Sequence, residues 1–133
     1  MNNSRNRRNP LKPDDRGATG RQGEEAAVEL LLQGGCTILH RNWRCRFGEL
    51  DIIARQGAEL VFVEVRTRKS GGRFGTAAES VDARKQRQVR TIAEVYMQAT
   101  GTHGMPVRFD VIAVMVDRGS GSVVELNHIE AAF

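Results

Sequence analysis

The run Leu60-Val61-Phe62-Val63 is apolar on both faces of an extended chain, and it constrains the fold of this 133-residue sequence more than any other feature. Side chains of a strand alternate between faces, so a half-buried strand alternates apolar with polar. A strand apolar on both sides has to lie inside a sheet that is covered above and below. This one, read over residues 59–68, turns charged toward its end. Leu60, Phe62, Glu64, Arg66 and Arg68 share one face, and Val61, Val63, Val65 and Thr67 share the other. A buried central strand that carries a carboxylate and cations into its second half needs a reason, because an unpaired charge is costly to bury.

The rest of the chain supplies the layers around it. A helix is predicted over residues 23–32, stopped by Gly34-Gly35. Strands are predicted over 36–43 and 47–54, joined through Arg44-Cys45-Arg46, and Gln56-Gly57 turns the chain into the central strand. Ser70-Gly71-Gly72-Arg73 reads as a flexible loop. A second helix takes Asp82 as its N-cap and runs to about Gln98, ended by Thr100-Gly101. A strand over 107–116 and a last one over 122–129 complete the order. The layout is α/β, with a central mixed sheet flanked by helices.

Charge divides the chain in two. Residues 1–21 hold six Lys/Arg against Asp14 and Asp15, whereas residues 22–133 hold fourteen basic and fourteen acidic residues. The reading is a basic, disordered tail over residues 1–20 and a single domain over 21–133; the tail either solubilises or touches phosphate backbones. Within the balanced domain, residues 66–90 carry Arg66, Arg68, Lys69, Arg73, Arg84, Lys85, Arg87 and Arg90 against Glu79 and Asp82. That excess is either a solvated face or a surface for nucleic acid. No apolar run is long enough to span a bilayer, and no signal peptide is expected. Cys36 and Cys45 lack C-x-x-C spacing and fit a reduced, cytoplasmic protein.

Three further charges fall where pattern asks for apolar groups. At 100° per residue, Glu24 lies on the side of the first helix that carries Ala27, Val28 and Leu31. In the second strand, Leu50, Ile52 and Ala54 share a face, and Glu49, Asp51 and Ile53 share the other. Paired as a hairpin with the central strand, Asp51 can approach Glu64. Lys85 lies in the apolar stripe Val81, Val89, Ile92 and Tyr96 of the second helix. Converging carboxylates beside a cation can hold a divalent metal, form an ion-pair network, or run metal-free acid–base chemistry. With one Trp and one Tyr in the chain, a sugar-binding cleft is disfavoured, which leaves metal against ion pair. Glu49 is expected to pair with an arginine, Asp110 to be structural, and His40, His103 and His128 to be surface or loop residues.

The stretches G-E-E-A-A, R-N-W-R, F-G-E-L-D-I-I-A, V-F-V-E-V-R-T-R, F-G, K-Q-R, R-F-D-V-I-A-V and H-I-E-A-A-F occur in that order from about residue 20 to the C-terminus. They resemble the YraN-type family of small bacterial proteins, which in turn resembles the PD-(D/E)XK restriction-endonuclease-like superfamily and its Holliday-junction resolvases. The resemblance implies a nuclease-like core whose motif falls on Glu24, Asp51, Glu64 and Arg66. It implies a metal-dependent endonuclease acting on DNA, with branched DNA as one substrate, and it admits a homodimer. Asp51, Glu64 and the Val65 carbonyl would hold Mg²⁺ or Mn²⁺, and Glu24 would orient a water or a second ion. Arg66 would stabilise charge on the phosphate. Arg68, Lys69, Arg73, Arg84 and Arg87 would grip the backbone. The superfamily has lysine where this chain has Arg66, and a guanidinium does not deprotonate water; Lys85 is the candidate to take over proton handling. The same departure supports the alternative, a nucleic-acid- or partner-binding module that keeps the fold without cleaving.

Overall fold

The computed structural model describes residues 12–70 and 81–133. Helix α1 (Lys12–Gln33) precedes strands β1 (Thr37–Cys45), β2 (Gly48–Gln56) and β3 (Glu59–Lys69); helix α2 (Ala83–Thr100) and strands β4 (Val107–Val116) and β5 (Val123–Ile129) follow. The strands form one sheet in chain order. β3 and β4 run parallel, and the other neighbours are antiparallel. A parallel pair needs a crossover, and α2 provides it.

Each helix covers one face. Ala27 and Leu31 of α1 pack with Ile52, Ala54, Val61, Val63, Ile112 and Val114. Val89, Ile92, Ala93, Tyr96 and Met97 of α2 pack with Leu50, Ile53, Leu60, Phe62 and Phe109 on the other side. β3 therefore sends alternate residues into two separate cores, which is why its first half is apolar throughout. The fold is α/β, a five-stranded mixed sheet flanked by two helices, consistent with a restriction-endonuclease-like core. No helix among the described residues is long and apolar enough to cross a membrane.

Local chemistry fixes the pieces that matter for the site. Asp82 caps α2 by accepting from the Lys85 N–H at 2.9 Å, and Gly101, at φ +69°, closes the other end. Gly23 lets α1 approach β3: a Cβ there would overlap Thr67 Oγ1 and lie 3.1 Å from Thr67 Cβ.

Four sequence expectations are corrected. α1 begins at Lys12, not at residue 23, so it occupies part of the segment assigned to the tail; residues 1–11 lie outside the described residues. β1 extends to Cys45 and the turn is Arg46-Phe47, so Phe47 is not a strand residue. Gly48 follows at φ +131°, a conformation that a side chain strongly disfavours. Leu50 packs with Ile53 on the α2 side while Ile52 and Ala54 face α1, so strict alternation fails at Asp51. His128 is in β5, and its Nε2 lies 2.8 Å from Oδ2 of the fully buried Asp110. Arg108 donates to both oxygens of the same carboxylate, at 2.9 and 3.0 Å, and the Ala131 N–H donates at 3.0 Å. His128 is thus part of a buried network, and Asp110 anchors the C-terminal strand and tail to β4.

Candidate active site

Two carboxylates meet where β2 and β3 part. The ladder between these strands runs from Gln56↔Glu59 to Ile52↔Val63. One residue further, Asp51 Oδ2 accepts from the Val65 N–H at 2.8 Å, so a side chain takes a main-chain donor beside Glu64. The break in alternation at Asp51, with Leu50 and Ile53 on one side, goes with a carboxylate turned toward β3.

Glu64 is 5% exposed and points to the α2 side. Its Oε2 lies 3.4 Å from both Arg66 Nη1 and Lys85 Nζ. Lys85 comes from the first turn of α2, whose apolar stripe faces the sheet, so its ammonium is directed inward and half-buried. Glu24 is half-buried rather than in the core, and accepts from Asn42 Nδ2 at 3.3 Å. Its charge nonetheless reaches Asp51. Burial pushes the Asp51 carboxyl up to about 7; the Glu64 charge adds to this, and Glu24 adds less. The Val65 N–H and the Lys85 ammonium pull it the other way.

Beside Glu64 opens a cleft of about 450 Å³ lined by Arg66, Asp82, Arg84, Lys85 and Gln88. Asp82 is engaged in capping α2, which leaves three cations to set the sign of the cleft. Arg66 Nε is buried, with no hydrogen-bond partner among the described residues. A buried donor left open costs about 1–3 kcal/mol, which an anionic acceptor in the cleft would offset.

The structure thus brings Glu24, Asp51, Glu64, Arg66, Lys85 and Arg84 into one region. Arg68 is half-buried on β3, donating to the Thr67 carbonyl at 3.3 Å, and Lys69 ends the strand. Arg87 is exposed on α2; neither it, Arg68 nor Lys69 lines the cleft, and Arg73 lies outside the described residues. Glu49 pairs with Arg44 at 3.1 Å, away from the cluster. Sequence reasoning passed over Gln88, which lines the cleft and donates from Nε2 to the Phe47 carbonyl at 2.9 Å. Its spacing of one turn from Lys85 was the available signal.

Asp51 and Glu64 bring carboxylate oxygens, the hard donors that Mg²⁺ or Mn²⁺ prefers, to neighbouring positions on β2 and β3. Among the described residues no three His, Cys, Asp or Glu side chains are grouped to hold one ion.

Comparison with other proteins places this arrangement in a family. A UPF0102 protein of Pelotomaculum thermopropionicum is 49% identical over 120 residues, covering 90% of this chain and 98% of that protein. One from Moorella thermoacetica is 52% identical over 99 residues, 74% and 82% of the two chains, and one from Rhodococcus opacus is 44% identical over 116, 87% and 96%. Residues 23–114, a span that holds Glu24, Asp51, Glu64, Arg66 and Lys85, match the profile described as uncharacterised protein family UPF0102, and the chain belongs to that family.

Proposed function

We propose that this protein is a metal-dependent endonuclease acting on nucleic acid, with DNA as its polymer. The observation that carries the reading is the juxtaposition of Asp51 and Glu64 with a cationic cleft built by Arg66, Arg84 and Lys85. Anionic and cationic features side by side suit a phosphodiester, whose charge the cleft attracts while the carboxylates stay on the reacting side.

Asp51, Glu64 and the Val65 carbonyl would hold Mg²⁺ or Mn²⁺, and such an ion supplies Lewis-acid chemistry to the phosphodiester. The chain's own groups do the rest. The Val65 N–H orients the Asp51 carboxylate. Glu24, held by Asn42, orients water at the rim. Arg66 and Arg84 offset the charge that builds on the phosphate, and the Arg66 fork leaves Nε for an acceptor. A guanidinium keeps its proton, whereas an amine can exchange one, so Lys85 handles the proton. Arg68, Lys69, Arg73 and Arg87 extend the grip on the backbone, and a homodimer would supply two such sites to a branched substrate.

The test is cleavage of branched and linear DNA by the purified protein with Mn²⁺ or Mg²⁺, with Asp51→Asn as control. Metal-dependent products that fall at least 100-fold in the variant support the reading; equal products from both proteins overturn it. Arg66, where the superfamily has lysine, favours one other reading, a binding module that retains the fold. Salt-dependent DNA binding without cleavage at any metal concentration would select it.

A further inference from the structure

The hairpin turn between β1 and β2 presents an aromatic ring next to the cationic cleft. Phe47 is 42% exposed, although phenylalanine is ordinarily buried. The Arg46 guanidinium lies 4.9 Å from the ring centroid and holds it from one side. The turn's main chain is held beside the cleft by Gln88, which lines the cleft and donates to the Phe47 carbonyl at 2.9 Å. Gly48 permits that contact. Its φ is +131°, and a Cβ there would lie 2.6 Å from Gln88 Nε2 and 3.3 Å from Ile92 Cδ1. The turn is thus seated on α2 by a glycine and an amide, and the ring it carries is left open to solvent.

Lys85 and Gln88 are one helical turn apart, about 5–6 Å between Cβ atoms. A strand whose phosphate meets Lys85 therefore passes close to the Phe47 turn. An exposed aromatic face beside a cationic channel is the combination that binds single-stranded nucleic acid, because every base has a π-face and stacking needs no sequence. Bases inside a continuous duplex are already stacked and offer no free face.

We infer that Phe47 is a stacking platform for an unpaired base, with Arg46 steadying the ring and the Arg66, Arg84 and Lys85 cleft taking the adjoining phosphates. The substrate class this selects is nucleic acid with unpaired nucleotides at the site of action: a fork, flap, junction or single strand. The inference rests on the proposed nucleic-acid function and names the part of the substrate that the site reads.

Binding without cleavage tests it. Fluorescence anisotropy in EDTA compares a forked DNA with a blunt duplex of the same length, and 2-aminopurine in the unpaired arm reports stacking. Wild type is expected to prefer the fork and to quench the probe. Phe47→Ala should weaken fork binding about 5- to 100-fold, abolish the quench and leave duplex binding unchanged; Phe47→Trp should retain both signals. Melting temperature confirms that the variants fold. Equal fork and duplex affinities in wild type, or an unchanged quench in Phe47→Ala, overturn the inference while leaving the proposed function standing. No binding to either DNA overturns the inference, and if metal-dependent cleavage is also absent it overturns the proposed function itself.

Discussion

Replacing Asp51 by asparagine should make this protein more stable at neutral pH, which is opposite to the usual effect of altering a half-buried polar residue. Folding moves the Asp51 carboxyl from its ordinary value of 3.8 up to about 7, chiefly by burial and next by the Glu64 charge. The native state therefore holds a proton that the unfolded chain has lost wherever pH lies between those values. Stability must fall as pH rises across that window, by up to about 1.4 kcal/mol per pH unit, and stay low above 7. Below about pH 4 both states are protonated and the residue is neutral in effect. The full shift corresponds to roughly 4 kcal/mol, and the partial exposure of the carboxyl trims this to about 2–4 kcal/mol.

Asparagine keeps the acceptor for the Val65 N–H and turns its NH₂ toward the carboxylate neighbours, so it removes the charge without removing the shape. Urea unfolding at pH 4, 6 and 8 gives the comparison. Wild type and Asp51→Asn should nearly coincide at pH 4, and the variant should gain about 2–4 kcal/mol at pH 8. Millimolar Mn²⁺ should restore the difference to wild type only, by about 2.7 kcal/mol at a hundredfold excess over Kd. A variant that unfolds at the same urea concentration as wild type at pH 8, or that keeps the wild-type slope between pH 4 and 7, refutes the reasoning. Metal stabilisation of the asparagine variant as large as that of wild type would move the ion elsewhere.

Lys85→Ala should slow metal-dependent cleavage about 100-fold or more, and Lys85→Arg should not rescue it if the amine exchanges a proton; equal rates would remove Lys85 from the mechanism. Asp110→Ala leaves Arg108, His128 and the Ala131 N–H without their shared acceptor, and should cost about 3–5 kcal/mol in chemical unfolding. A loss under about 1 kcal/mol would show that the network is not what holds β5 and the C-terminus. Gly23→Ala forces a methyl into Thr67 and should cost about 1–3 kcal/mol, part of which Thr67→Ala recovers; additive effects of the two substitutions would contradict the contact.

Much of this architecture was legible because burial leaves period-2 and period-3.6 traces. β3 announced two covering layers through Leu60 to Val63, and the caps of α2, Asp82 and Gly101, stand where residue chemistry places them. The start of α1 was not legible. Residues 12–22 carry little apolar periodicity and all three glycines of α1 lie at 17, 20 and 23, so nothing local marks a helix there. Phe47 misled for a related reason: an aromatic beside Gly-Glu-Leu reads as a strand residue, and only the positive φ of Gly48 and the Gln88 contact from 41 residues away put it in the turn. Glu24 sits at the rim because its partner, Asn42, lies on a strand that helix geometry alone cannot place.

Misplaced charge was the signal that found Asp51 and Glu64, yet the most deeply buried aspartate among the described residues is Asp110, which the sequence reading set aside as structural. What separates them is satisfaction. Asp110 has Arg108 across both oxygens, His128 Nε2 and a main-chain N–H, partners drawn from β4, β5 and the C-terminal turn, and it is closed to solvent. Such a carboxylate is complete, and a ligand could reach it only by breaking the sheet's end. Asp51 has a single N–H for two oxygens, a second carboxylate nearby, and a pKa raised to about 7 by burial and by the Glu64 charge. Glu64 is buried with cations at 3.4 Å, longer than a tight ion pair, and both of those cations line an open cleft. Asp110 and Asp51 thus differ in what surrounds each: Asp110 has both oxygens paired with a cation and one with a main-chain donor, whereas Asp51 has one N–H and lies beside the Glu64 carboxylate.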